Sequence, residues 1–199
     1  CLMNPQREAM IHIFFGERAA SKIADIPKET PLLPITSAGI IGSGTMGGGI
    51  AMNFANAGIP VLVLDQDKKN LERGMGVIEK NYQMMVDRGR MLQKQKDMVM
   101  DLITPTLSYD DLSEIDIAIE AVYENLDLKK EIFKTLDEVT KDDAILASNT
   151  SGLDIDAIAS STKRPGKVVG THFFSPANIM RLLEVVRGKD SSDKTMATV

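Results

Sequence analysis

Six residues, Gly42-Ser43-Gly44-Thr45-Met46-Gly47, constrain this chain more than any other stretch. They follow the apolar run Ala38-Gly39-Ile40-Ile41 and lead into a helical pattern that starts near Met46. In that setting Gly42 permits a tight turn, Gly44 lets backbone approach an anion, and Gly47 allows a helix to pack closely on a strand. The N–H groups opening the helix, at Thr45 and Met46, and the helix dipole both favour negative charge, so residues 42–47 form a candidate phosphate cradle. Alone, the loop reads equally well as a glycine-rich turn with no ligand. An acid decides between them: Asp65 ends the run Val61-Leu62-Val63-Leu64, 21 positions after Gly44, where a carboxylate accepts the hydroxyls of a ribose. It also repels an added 2′-phosphate, reinforced by Asp67 and softened by Lys68 and Lys69, so the expected cofactor is NAD. The plainer alternative makes Asp65 a helix N-cap.

Around this loop, apolar runs alternate with helical patterns. Residues 38–41, 61–64, 117–122, 144–147 and 168–171 read as buried strands, and helices start near Met46, Lys68, Leu126 and Ile155. The expected fold is α/β, a doubly wound, mostly parallel sheet of Rossmann type, preceded by a linker helix. The helix after Asp67 extends to about Ile103, with Gly74, Gly76 and Gly89 as weak points where it could break in two. Residues 6–24 form an amphipathic helix, and Pro27, Pro31 and Pro34 make the following segment an extended connector. Ser191, Ser192 and Asp193 resemble an N-cap for a helix from Lys194 that stops after six residues, too short to stand alone, which suggests truncation. The expected division is residues 1–34 as linker helix and connector, 35–190 as nucleotide domain, and 191–199 as the start of a further helical domain.

Composition narrows the partners. Of 199 residues, 43% are hydrophobic and 26% charged, as in an ordinary globular domain. A net charge of −5 argues against nucleic acid, which is bound by clustered Lys and Arg. No run offers the roughly 20 apolar residues of a membrane span, so neither nucleic acid nor membrane is an expected partner. The one cysteine, Cys1, cannot form an internal disulfide. No secretory signal pattern opens the chain.

The two histidines differ in setting. His12 lies in the first helix, where surface or packing use is the simpler reading. His172 falls at a strand end, where doubly wound sheets place their ligands. Glu184 lies within the apolar run Leu182-Leu183-Glu184-Val185-Val186, and a carboxylate buried there is costly unless paired. If residues 180–186 return as a strand beside the first, Glu184 meets the imidazole, fixes its tautomer and stabilises its cation. Such a pair can take a proton from an alcohol as hydride leaves for nicotinamide. The alternative is a rim acid on an edge strand. Ser148-Asn149-Thr150-Ser151-Gly152 ends another strand at the same edge, with hydroxyls suited to a substrate oxygen, although polar turns there are common without function. The methionines Met75, Met84, Met85, Met91, Met98 and Met100 read as core packing.

From Ile35 to Val199 these residues resemble the NAD-binding domain of 3-hydroxyacyl-CoA dehydrogenases. The likeness runs through the Gly42 to Gly47 loop, Ile119-Glu120-Ala121-Val122-Tyr123-Glu124-Asn125-Leu126, Ser148-Asn149-Thr150-Ser151 and His172-Phe173-Phe174-Ser175-Pro176, in family order. The leading Phe14-Phe15-Gly16-Glu17-Arg18 helix and proline connector look like the junction that follows the hydratase half of multifunctional fatty-acid oxidation enzymes. The resemblance implies oxidation of a (3S)-3-hydroxyacyl-CoA to the 3-ketoacyl-CoA with NAD. His172 matches the family base, Glu184 its partner and Ser151 the serine near the substrate oxygen. Glu124 and Lys129 match positions lining the nicotinamide side of the cleft. Many stand-alone members have Asn where this chain has Ser175. The resemblance also implies an acyl-CoA substrate, a parent that is oligomeric or complexed with a thiolase, a following helical domain that contributes an active-site asparagine, and a cytoplasmic location in bacteria or a peroxisomal one in eukaryotes.

Two other functions compete. A catalytically silent NAD-binding or redox-sensing module would keep the loop and Asp65 without needing His172 and Glu184. A dehydrogenase of small hydroxy acids would need a cationic carboxylate clamp, and the sequence offers none that can be located.

Overall fold

The computed structural model describes residues 4–20 and 22–199, so Cys1 lies outside the described residues. Strands β1 (Ala38–Ile41), β2 (Val61–Leu64), β4 (Ile117–Glu120) and β5 (Ile145–Ser148) are apolar almost throughout, because helices cover both faces and no strand face meets water. With β3 (Ile103–Thr106), β6 (Val168–Phe173) and β7 (Leu183–Arg187) they form a seven-stranded sheet in the order β3-β2-β1-β4-β5-β6-β7. All neighbours are parallel except β6 and β7. The fold is the doubly wound α/β arrangement expected.

Side chains alternate between two cores. Ile40, Val63, Ile119 and Ala147 face the layer of α2 (Thr45–Asn56) and α3 (Lys68–Asp87), meeting Ile50, Met52, Ile78 and Tyr82. Ile41, Leu64, Ala118 and Leu146 face α5 (Leu126–Val139) and α6 (Ile155–Ala159), meeting Phe133, Leu136 and Ile158. Burial pushes the Tyr82 phenol up to about 12, so it stays a neutral donor to Asn56 Oδ1 at 3.0 Å.

Several boundaries differ from the sequence reading: β4 stops at Glu120 instead of residue 122, and β5 is shifted by one residue to Ile145–Ser148. The long helix ends at Asp87, and after a turn with Gly89 at φ 65° the chain resumes as α4 (Gln93–Met100). Ile103 then starts β3 instead of closing a helix. That strand was masked by Pro105, which the sheet tolerates because β3 lies at its edge. Helix α1 spans Pro5–Ala20, stops short of residue 24 and buries none of its residues. β6 continues through His172 to Phe173.

The connector is strapped to the sheet. Ile26 joins the first core cluster, Leu33 N donates to Thr198 Oγ1 at 2.9 Å, and Thr36 and Ser37 are tied to Asp116. Helix α7 (Asp193–Thr198) is capped by Ser192, which accepts from Thr195 N, and buries Thr195 and Met196. Met75, Met85, Met91 and Met100 pack on the first core, whereas Met84 and Met98 are exposed.

Candidate functional site

From β1 the chain runs outward to β2 and β3, then returns to β4 on the other side. The crevice this reversal opens at the strand C-termini is where doubly wound sheets bind ligands. A cleft of about 880 Å³ lies there, lined by Gly42, Ser43, Gly44 and Thr45, by Asp65 and Gln66 after β2, and by Ala121 to Tyr123 after β4.

The loop geometry gives each glycine a physical reason. Gly42 sits at φ 102°, and a Cβ there would lie 2.8 Å from the Ala121 carbonyl oxygen. At Gly47 a Cβ would fall 1.8 Å from Gly42 O, so only glycine lets α2 start this close to the strand. Gly44 and Thr45 are exposed, Gly44 faces open space, and no side chain caps the start of α2. Met46 packs its side chain on the core, leaving its backbone to the helix start. Gly74, read from sequence as a weak point in a helix, is a contact: a Cβ there would meet Ser43 O at 2.3 Å, so α3 rests directly on the loop.

Asp65 is no N-cap. That place belongs to Asp67, which accepts from Asn70 N at 2.9 Å. Asp65 Oδ2 accepts from Ser43 N at 3.0 Å and Ser43 Oγ at 2.6 Å, fixing the carboxylate against the loop. Burial alone would raise its pKa, but these bonds and those from the backbone of Asp67 and Gln66 outweigh it and hold the carboxyl below its ordinary value. An uncapped helix start, a glycine cradle open to the cleft and an anionic carboxylate beyond it fit the phosphates and ribose of NAD.

Past β4 the residues form a network. Glu120, fully buried, accepts from Val122 N at 2.8 Å, Ser148 Oγ at 2.7 Å and Lys129 Nζ at 2.6 Å. Lys129, 1% exposed, also pairs with Glu124 Oε2 at 3.3 Å. It stands behind Glu124, which is the more exposed of the two. Glu124 Oε1 accepts from Thr150 Oγ1 at 2.5 Å and Ser151 N at 3.0 Å, which brings two of the expected site residues together. Burial would raise the Glu124 carboxyl, yet the Thr150 and Ser151 bonds and the Lys129 charge bring it below its ordinary value. Sequence reasoning passed over Glu120. Its signal was a lone acid closing the wholly buried strand Ile117-Ala118-Ile119-Glu120.

His172 and Glu184 lie opposite one another in the antiparallel pairing of β6 with β7, and His172 Nδ1 is 2.9 Å from Glu184 Oε2. The Glu184 side chain is 55% exposed, so the burial expected for it does not hold. It is both a rim acid on an edge strand and the partner of the imidazole. The pair, like Glu124 and Ser151, lies outside the lining of the cleft, further along the same sheet edge, which runs Asp65, loop, Glu124, Ser151, His172 in strand order. Phe173 N donates to Asn149 Oδ1 at 2.9 Å, tying the ends of β5 and β6. Among the described residues no cluster of His, Cys, Asp and Glu could hold a metal ion. Nor is any helix there long and apolar enough to cross a membrane.

Residues 37–199 match the family described as 3-hydroxyacyl-CoA dehydrogenase, NAD binding domain. The chain is 42% identical to the human peroxisomal bifunctional enzyme, covering 100% of this chain and 28% of that protein. It is 40% identical to the fatty acid oxidation complex subunit alpha of Psychrobacter arcticus, covering 98% and 27%. It thus spans little more than a quarter of the length of these curated relatives. The crystal structure of the dehydrogenase part of multifunctional enzyme 1 from C. elegans superposes with a TM-score of 0.78 at 30% identity, covering 94% of this chain and 45% of that one. By sequence match, sheet order and loop geometry together, the chain belongs to the 3-hydroxyacyl-CoA dehydrogenase family, in its NAD-binding domain.

Proposed function

We propose that this chain supplies the NAD site and the proton-accepting pair for oxidation of a (3S)-3-hydroxyacyl-CoA to the 3-ketoacyl-CoA in fatty acid β-oxidation. One observation carries the reading: an imidazole oriented by a carboxylate at 2.9 Å, on the sheet edge that also bears the glycine loop. NAD, when bound, supplies the acceptor for the hydride. An ionised carboxylate only accepts hydrogen bonds, so Nδ1 of His172 carries the hydrogen toward Glu184 and Nε2 keeps its lone pair. Nε2 takes the hydroxyl proton, and Glu184 stabilises the imidazolium that results. Ser151, held by Glu124, offers its hydroxyl to the substrate oxygen. Gly42, Gly44, Thr45, Met46 and Gly47 hold the pyrophosphate, Asp65 the adenosine ribose, and Glu124 with Lys129 behind it the nicotinamide end.

The parent protein works as an oligomer or in a complex with a thiolase, in the bacterial cytoplasm or the eukaryotic peroxisome. A complexed parent and the peroxisomal location draw support from two relatives, one a subunit of a fatty acid oxidation complex and one a peroxisomal enzyme. The test is NADH formation by the complete protein containing this chain, given (3S)- or (3R)-3-hydroxyacyl-CoA with NAD. The (3S) substrate is expected to react and the (3R) one not. Absence of NADH with both overturns the reading.

A further inference from the structure

Glu120 presents a cost that needs a return. It is the one charged side chain in a strand buried at all four positions, and it sits between β1 and β5 in the middle of the sheet, opposite Ile41 and Ser148. A buried carboxylate paired with a buried ammonium is seldom more stable than apolar side chains of the same volume. Yet the site holds three charged groups in series: Glu120 on β4, Lys129 on α5 and Glu124 in the loop between them. Only Glu124 reaches solvent, at 41% exposure. The cleft lining takes Ala121 to Tyr123 from this loop and stops next to Glu124, and Glu120 and Lys129 lie behind it, so whatever Glu120 does for a ligand passes through Lys129 and the charge at Glu124.

We propose that Glu120 is a positioning residue that sets how strongly the cleft prefers oxidised over reduced cofactor, acting through the Lys129 ammonium on the charge at Glu124. The inference rests on the cofactor reading above. With the adenosine ribose at Asp65 and the pyrophosphate on the loop after β1, the other half of a dinucleotide lies across the ends of β4 and β5, beside Glu124 and Ser151. The oxidised nicotinamide ring carries a positive charge that the reduced ring lacks. Glu120, Lys129 and Glu124 together carry one net negative charge, which favours the oxidised form. Without Glu120 the ammonium is answered by Glu124 alone, the cluster becomes neutral and that preference falls. The bonds from Val122 N and Ser148 Oγ fix the carboxylate in place.

The experiment is calorimetric titration of the 199-residue chain with NAD and NADH at neutral pH. In Glu120→Gln, the ratio of NADH to NAD affinity should rise about tenfold over the unaltered chain. Glu120→Asp, which retains the charge, should restore it. Glu120→Gln combined with Lys129→Met removes one charge of each sign and should bring the ratio back to within about threefold. A purely structural Glu120 would lower both affinities together and leave the ratio unchanged, and that result overturns the proposal. If Glu120→Gln fails to fold by circular dichroism, Glu120→Met, which removes the same charge, is titrated in its place with the double variant as its control: a ratio unchanged from that of the unaltered chain overturns the proposal. Binding of neither nucleotide by the unaltered chain sinks the cofactor reading and this inference with it, whereas binding with an unchanged ratio in Glu120→Gln sinks the inference alone.

Discussion

His172 and Glu184 face each other because β6 and β7 pair antiparallel with these two residues directly opposite, on the same face of the sheet. In the complete protein, His172→Gln should lower turnover by roughly 10²-fold or more with little change in NAD affinity, because it removes the proton acceptor alone. Glu184→Gln should lower turnover less and move the pH dependence of oxidation to that of a weaker base. Unchanged rates and pH profiles in both would reduce the pair to a structural contact. At Asp65 the prediction concerns selectivity: Asp65→Ala should narrow the gap between NAD and NADP affinity, measured calorimetrically, and tighter binding of NADPH than NADH by the unaltered chain would defeat the assignment. These residues were legible because each sits at a strand end with chemistry its neighbours lack. Lys129 came from the resemblance alone, since no spacing rule tells whether an ammonium on a helix faces a cleft or lies behind a carboxylate. Glu120 escaped because an acid at the end of an apolar run looks like the strand's exit into solvent.

Helices and strands with continuous apolar or amphipathic patterning were readable as such, and the misses fall where tertiary pairing overrode local signals. β3 carries Pro105 and two exposed positions, so nothing local marks it as a strand. It exists because β2 offers it a free edge. The connector looked like a free spacer for the opposite reason: its prolines are visible in the sequence, while the acid that fastens it lies 80 residues away. Asp116 Oδ2 accepts from Thr36 N at 2.6 Å, Thr36 Oγ1 at 2.7 Å, Ser37 N at 3.0 Å and Ser37 Oγ at 3.2 Å, and Oδ1 pairs with Lys141. Burial raises its pKa, but the bonds from Lys141 and Thr36 more than offset this and hold the carboxyl far below the usual range. Its stabilising contribution is therefore complete above the unfolded-state value of about 4 and is lost as pH falls from there through the lower folded value. Asp116→Asn should cost roughly 2 to 3 kcal/mol at neutral pH, seen as a melting temperature lower by about 5 to 10 °C. The variant should also lose less stability than the unaltered chain on acidification below pH 4. Parallel pH dependence in the two would show that the strap does not act through the Asp116 charge.

Across the whole molecule, the cleft and the His172–Glu184 pair lie on one sheet edge but differ in enclosure. The cleft is walled by α2, α3 and the loop after β4. The His172–Glu184 pair lies outside that lining, with the Glu184 side chain 55% exposed, and Met180 and Leu182 in the segment between β6 and β7 are exposed as well. An acyl-CoA resting there would meet water on its outer side, which competes for the hydrogen bonds of Ser151 and His172. The carbinol carbon is then free to shift away from the nicotinamide. Positioning of reactants is worth up to roughly 7 to 11 kcal/mol in favourable cases, so a cleft that binds cofactor without fixing substrate forfeits most of its rate. These 199 residues alone should therefore bind NAD yet turn over a 3-hydroxyacyl-CoA poorly. A protein extended to the length of the relatives, of which this chain spans little more than a quarter, should turn it over well. Spectrophotometric NADH formation by the two, at matched concentration and saturating NAD, compares them directly. Comparable turnover would mean that the open face around His172 already positions the substrate, and that the exposed apolar residues there act as a binding surface without any cover.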